Sequence, residues 1–143
     1  MHADSVQLDL PASHTYLHLL GSCIQGIIDR VEGVEDAEAV AYNVQLAAHE
    51  IGTNIVEHAY GGNGTGRIAI ALTLDRAETL LTIELHDTGR AFDPAGVCEP
   101  VLGEPQIHGY GLFLARELMD TVEYEARPDG NYWRLTRRLV QPS

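Results

Sequence analysis

The chain has 143 residues, 45% of them hydrophobic, and a formal net charge of −12. That length supports one compact domain over 1–143, and no run approaches the roughly 20 consecutive apolar residues of a membrane span. All nine basic residues are arginines, and so acidic a surface repels nucleic-acid phosphates, which favours a protein partner.

The first residues, with His2, Asp4 and Asp9, lack a basic region followed by an apolar stretch, so the expectation is a soluble, cytoplasmic protein. Two cysteines, Cys23 and Cys98, are too few for a secreted disulfide framework and are read as reduced.

Residues 5–10 alternate apolar and polar like a half-buried strand, and Pro11 stops it before Ser13, a suitable N-cap. A helix over 13–32 ends at Gly33. Glu35 and Asp36 then open a second helix, running to about Ala59, whose first-turn acids suit its dipole. The glycine-rich stretch 61–66 breaks it. Strands over 67–75 and 79–86 form a hairpin around residues 75–78, and the second delivers Asp87 at its end. Residues 90–108, rich in Pro and Gly, read as a loop or lid. A helix over 111–120 and a closing hairpin of strands 122–126 and 132–139 complete the order β, α, α, β, β, α, β, β. Helices segregated from hairpins predict an α/β (α+β) two-layer sandwich, a mixed, mostly antiparallel sheet with helices on one face.

Three motifs carry chemistry. In the second helix Glu50, Asn54 and His58 follow i, i+4, i+8 spacing and span about 80° of its surface at roughly 100° per residue, beside an apolar stripe. Glu50 is either a solvent-facing carboxylate or a general base for a hydroxyl beside a nucleotide. Asn54 offers a carboxamide oxygen, a hard ligand of the kind a phosphate-bridging magnesium ion accepts. A zinc helix is excluded, because position 53 is threonine where the second histidine of His-Glu-x-x-His belongs. Asp87-Thr-Gly89 is either an ordinary turn or a pocket in which the carboxylate accepts the amino group of adenine and Gly89 lets the ring approach. Gly109-Tyr-Gly111 opens a helix, where backbone N–H groups can hold phosphate oxygens. The loop 61–66 is not a phosphate loop, because Arg67 stands where lysine is required and no strand precedes it.

In order and spacing these motifs resemble the N box and two glycine boxes of the ATPase superfamily that includes gyrase, the Hsp90 chaperone and histidine kinases. More narrowly, Glu50-x-x-x-Asn54-x-x-x-His58-Ala-Tyr60, Asp87-x-Gly89-x-x-Phe92-Asp93 and Gly109-x-Gly111-Leu-x-Leu-Ala-Arg116 resemble the bacterial anti-sigma factor serine kinases. The resemblance implies the histidine kinase-like ATPase (Bergerat) fold, Mg-ATP as cofactor, Glu50 as the base that activates an attacking serine, and Asn54 as the magnesium ligand. It also implies that Asp87, Gly89, Gly109, Gly111 and Asn131 contact ATP, Asp87 as the adenine reader. It further implies a homodimer whose partners are a sigma factor and a small antagonist protein. Two departures stand out: Asn131 follows Gly130 where the family often has threonine, and Tyr110 sits between the second pair of glycines where a basic residue is common. The alternative from another class is an ATP-gated protein-binding regulator without phosphoryl transfer. A detached histidine-kinase catalytic domain is weaker still, since one helix carrying His14 and His18 is not a dimerising helical hairpin.

Overall fold

The computed structural model describes residues 3–62, 65–92 and 110–141. Its strands are β1 (Ala3–Pro11), β2 (Arg67–Asp75), β3 (Leu80–Asp87), β4 (Thr121–Arg127) and β5 (Gly130–Arg138); its helices are α1 (His14–Asp29), α2 (Ala37–Asn54) and α3 (Tyr110–Leu118). A π-helical turn, Ile55–Ala59, extends α2.

The strands make one sheet in the order β1-β2-β3-β5-β4. Every neighbouring pair is antiparallel, so the expected mixture is absent among the described strands. The reason is topological. β3 and β4 run in the same direction and are joined through α3, but β5 lies between them and pairs antiparallel with both.

Alternation decides the layers. Ile68, Ile70, Leu72 and Leu74 on β2 and Leu81, Ile83 and Leu85 on β3 are all buried, as are Trp133 and Leu135 on β5. They meet Leu17, Leu20, Ile24 and Ile28 of α1, Val40, Val44, Ala48 and Ile51 of α2, Leu112 and Ala115 of α3, and Met119 just after it in one core. α2 approaches closely because it is rich in small residues: a Cβ on Gly52 would lie 2.8 Å from Leu17 Cδ2. The opposite sheet face carries a polar row, Asp9, Ala69, His86, Tyr132 and Glu125 in register, with the His86 and Tyr132 rings stacked at 4.2 Å.

Helix ends differ from the sequence reading. The Ser13 hydroxyl caps α1, accepting the Thr15 amide at 3.3 Å, but the helix stops at Asp29, three residues early. Asp36 does not sit in the first turn of α2; it precedes it in a left-handed conformation (φ 53°). The β2–β3 turn is an Asx turn in which Asp75 Oδ1 accepts the amides of Ala77 (2.9 Å) and Glu78 (3.2 Å). The C-terminal arginines form no free basic face: Arg127 pairs with Glu125, Arg134 with Glu123 and Arg138 with Glu78, and Arg137 donates to the Leu118 carbonyl at 2.6 Å. Among the described residues no helix is long and apolar enough to cross a membrane.

Candidate functional site

Two elements of the helical layer bring the first cluster together. Glu50 and Asn54 lie one turn apart on α2, both half-buried. The start of α3 faces them: a Cβ on Gly111 would lie 3.4 Å from Asn54 Oδ1 and 3.5 Å from Glu50 Oε1. The bare Gly111 therefore opens a gap between the α3 N-terminus, with its unsatisfied backbone N–H groups, and a carboxylate and carboxamide. Gly109 lies outside the described residues, as does the region read as a lid from residue 93 onward.

The spacing of His58 is not the regular one. After Asn54 the backbone widens, the Tyr60 amide bonding to the Ile55 carbonyl (3.2 Å) and the Gly62 amide to that of Val56 (2.8 Å). Such π turns are frequent at functional sites because they re-aim side chains without ending the helix. Here His58 joins Asn54, Asp87, Phe92, Asn131 and Trp133 around a narrow cavity.

The sheet supplies the second cluster. Asp87 ends β3 and Asn131 is its register partner on β5, so residues 44 apart in sequence sit side by side. Asp87 is 1% exposed. Its Oδ1 accepts the Gly89 amide at 2.9 Å and Asn131 Nδ2 at 2.8 Å, while its Oδ2 is buried with no hydrogen-bond partner among the described residues. Burial pushes the Asp87 carboxyl above its ordinary value, against the lowering effects of the Asn131 and Gly89 hydrogen bonds and of nearby His86. A buried polar atom left unpaired costs about 1–3 kcal/mol, and such orphans are uncommon. A donor on a ligand would relieve it.

Gly89 is bare for a packing reason that the motif does not reveal. A Cβ there would collide with the Ala59 carbonyl, so the absent side chain makes room for the end of α2. The neighbouring backbone seals that contact: the Arg90 amide donates to the Ala59 carbonyl at 2.8 Å and its guanidinium to the His58 carbonyl at 2.9 Å. Tyr60 adds a second tie, donating its hydroxyl to the Arg67 carbonyl (2.8 Å) and accepting the Thr88 amide (2.9 Å). These contacts hold the β3 end against α2. Gly130 is constrained as well, with φ 138° and the Asp87 carbonyl where a Cβ would go.

Sequence reasoning missed Tyr124 and Trp133 at this site. They are register partners on the core side of β4 and β5, with ring centroids 4.5 Å apart, and Phe92 packs edge-on against both. Strand alternation marks them as inward-facing, but nothing in one strand says which end of the core they occupy.

A wider concavity, about 980 Å³, lies elsewhere, on the open sheet face over Ala69, Ala71, His86, Tyr132 and Arg134. In that trough Arg134 pairs with Glu123 and Arg127 with Glu125, and its described residues include no orphaned buried polar atom. The unpartnered carboxylate oxygen of Asp87 belongs to the small cavity.

The model of the histidine kinase-like ATPase domain matches residues 10–137. The chain belongs to that family. Within it, the chain is similar to the serine-protein kinase RsbW of Halalkalibacterium halodurans, 30% identical over 132 residues, covering 84% of this chain and 75% of that protein. RsbW of Listeria monocytogenes is 32% identical over 135 residues, covering 86% and 80%. This places the chain with the RsbW-type protein-serine kinases. Solved structures agree on the fold. The RsbU and RsbW domains of a Mycobacterium tuberculosis protein superpose with TM-score 0.69 at 18% identity; the match takes in 98% of this chain and only about a third (34%) of that one. A blue-light activated histidine kinase of Erythrobacter litoralis gives 0.55 at 20% identity, covering 90% of this chain and 61% of its histidine kinase domain.

Proposed function

We propose that the protein transfers phosphate from ATP to a serine of a small antagonist protein, and that it holds a sigma factor as an anti-sigma factor when that antagonist is phosphorylated. The observation that carries the nucleotide reading is the buried Asp87 Oδ2, without a partner among the described residues, at a cavity shared with Asn54. A carboxylate oxygen accepts and cannot donate, which suits the 6-amino group of adenine. Asn131, bonded to the other oxygen, holds that carboxylate.

The residues present fit magnesium: Asn54 offers a carboxamide oxygen beside the α3 N-terminus, and the ion would neutralise phosphate charge. Gly109 and Gly111 would present backbone N–H groups to phosphate oxygens. Gly89 would contribute indirectly, by letting the Asp87 turn seat against α2. Glu50 is the base. It stands on the same helix face as Asn54 and within reach of the gap at Gly111, where it would take the proton from the attacking serine hydroxyl. The net charge of −12 argues for protein partners over nucleic acid, and the family resemblance for a homodimer working in the cytoplasm.

The test is to immobilise the protein, capture partners from a native lysate with Mg-ATP, and search the bound and released proteins for new phosphoserine. Glu50→Ala should keep ATP affinity within about twofold while transfer falls by roughly 10²–10⁴. Normal transfer by that variant removes Glu50 from the role of base. ATP-dependent capture with no phosphate transferred by the unsubstituted protein replaces the kinase with an ATP-gated binder.

A further inference from the structure

We infer that Tyr124 is a positioning residue for base recognition: its hydroxyl fixes the Asn131 carboxamide, which in turn holds Asp87 so that Oδ2 alone is left for the nucleotide. The inference rests on the reading of Asp87 as the group that meets adenine.

The hydrogen bonds leave one consistent assignment of donors and acceptors. Asn131 Nδ2 faces three acceptors, Asp87 Oδ1 at 2.8 Å, the Arg90 carbonyl at 3.1 Å and the Gly89 carbonyl at 3.2 Å. The amide nitrogen must therefore point toward β3, and Asn131 Oδ1 away from it. On that far side Oδ1 meets the Tyr124 hydroxyl at 2.7 Å. Tyr124 Oη also receives the Phe92 amide N–H at 2.7 Å, which leaves the hydroxyl proton for Asn131. The relay is directional: Phe92 N–H to Tyr124, Tyr124 O–H to Asn131, Asn131 N–H to Asp87. Among the described residues every group in it is satisfied except the terminal Asp87 Oδ2.

Tyr124 touches neither Asp87 nor, in this reading, the nucleotide; it acts through Asn131. Removing its hydroxyl strands Asn131 Oδ1 on a residue only 3% exposed, and the amide must turn or shift to find a donor. Any such movement loosens one of the two donors on Asp87 Oδ1. The carboxylate can then rotate, and the acceptor aimed at the base is no longer fixed. The consequence is specific. Nucleotides with a 6-amino group lose affinity; those without one have nothing to lose.

The experiment is equilibrium binding of ATP and of purine riboside triphosphate, which lacks the 6-amino group, to the full chain. Tyr124→Phe keeps the ring against Phe92 and Trp133, and thermal melting checks that it folds. The expected result is an ATP affinity about tenfold weaker, with purine riboside triphosphate held within about twofold, so the preference between them collapses. Asn131→Ala alone should reproduce that collapse whether or not Tyr124→Phe folds, and adding Tyr124→Phe to it should change the ratio no further. Equal weakening of both nucleotides would make Tyr124 a packing residue and overturn the inference, as would an unchanged ratio in either single variant. If the unsubstituted protein binds neither nucleotide, or shows no preference for ATP, it is the adenine role of Asp87 that fails.

Discussion

Replacing Asp87 by asparagine should make the nucleotide-free protein more stable while weakening ATP binding. The carboxylate is 1% exposed, with two donors on Oδ1 and none on Oδ2 among the described residues. A carboxamide in the same place keeps an oxygen for Gly89 and Asn131 and removes the buried charge, while its amide nitrogen takes the unpaired Oδ2 place, so the net gain should be about 1 kcal/mol, an increase in melting temperature of roughly 3–4 °C for a chain of this size. The pH dependence gives the sign. Because burial raises the folded-state pKa of Asp87, the folded form takes up the proton more readily than the unfolded one. Its favourable contribution is complete below the unfolded value of about 3.9 and is lost as pH rises through the raised folded value. The melting-temperature gap between Asp87→Asn and the unsubstituted protein should therefore be small near pH 4, widen as pH rises, and level off. Differential scanning calorimetry of both proteins without nucleotide from pH 4 to 8 measures it. ATP affinity, in contrast, should fall roughly ten- to a hundredfold, as for a hydrogen bond to a charged acceptor. A variant that melts lower at pH 7, or a gap that widens toward acid, would refute the account of Asp87 as a strained, buried carboxylate.

Gly89→Ala should destabilise by about 1–3 kcal/mol, because its methyl meets the Ala59 carbonyl and the end of α2 must move; urea melts read this directly, and an unchanged midpoint would mean that the turn is free of α2. Tyr60→Phe should cost about 1 kcal/mol through the lost bonds to Arg67 and Thr88, with faster hydrogen exchange at the Thr88 amide; equal exchange in both proteins would show that the hydroxyl does not hold that turn.

Much of the architecture was legible because each element carries its own period. The alternating burial of β2 follows directly from the alternation of Ile68, Ile70, Leu72 and Leu74 with small or polar neighbours. Helix ends were harder. Nothing in Glu35-Asp36 shows that Asp36 adopts φ 53°, since an acid suits a helix N-cap and a left-handed link alike. At the site, Glu50, Asn54 and Asp87 could be named from residue type and spacing. The role of Gly89 could not, because a bare Cα does not say which side of it is crowded. Tyr124 was invisible for a related reason: its partner Asn131 is brought to it by the hairpin register, and a donor-acceptor relay exists only once three separate stretches of chain are side by side.

The placement of β5 bears on how the protein is made. It is the last described strand in the chain, yet it occupies an interior lane of the sheet, between β3 and β4. During synthesis β4 emerges with no neighbour to zip onto, and the inner flank of β3 stays open until Gly130–Arg138 leaves the ribosome and slots in between them. Asn131 arrives with that strand, so nascent chains lacking it have Asp87 on an unpaired strand end. The same insertion that closes the sheet thus brings the Asn131 carboxamide to Asp87 Oδ1, and sheet and side-chain pair are completed together.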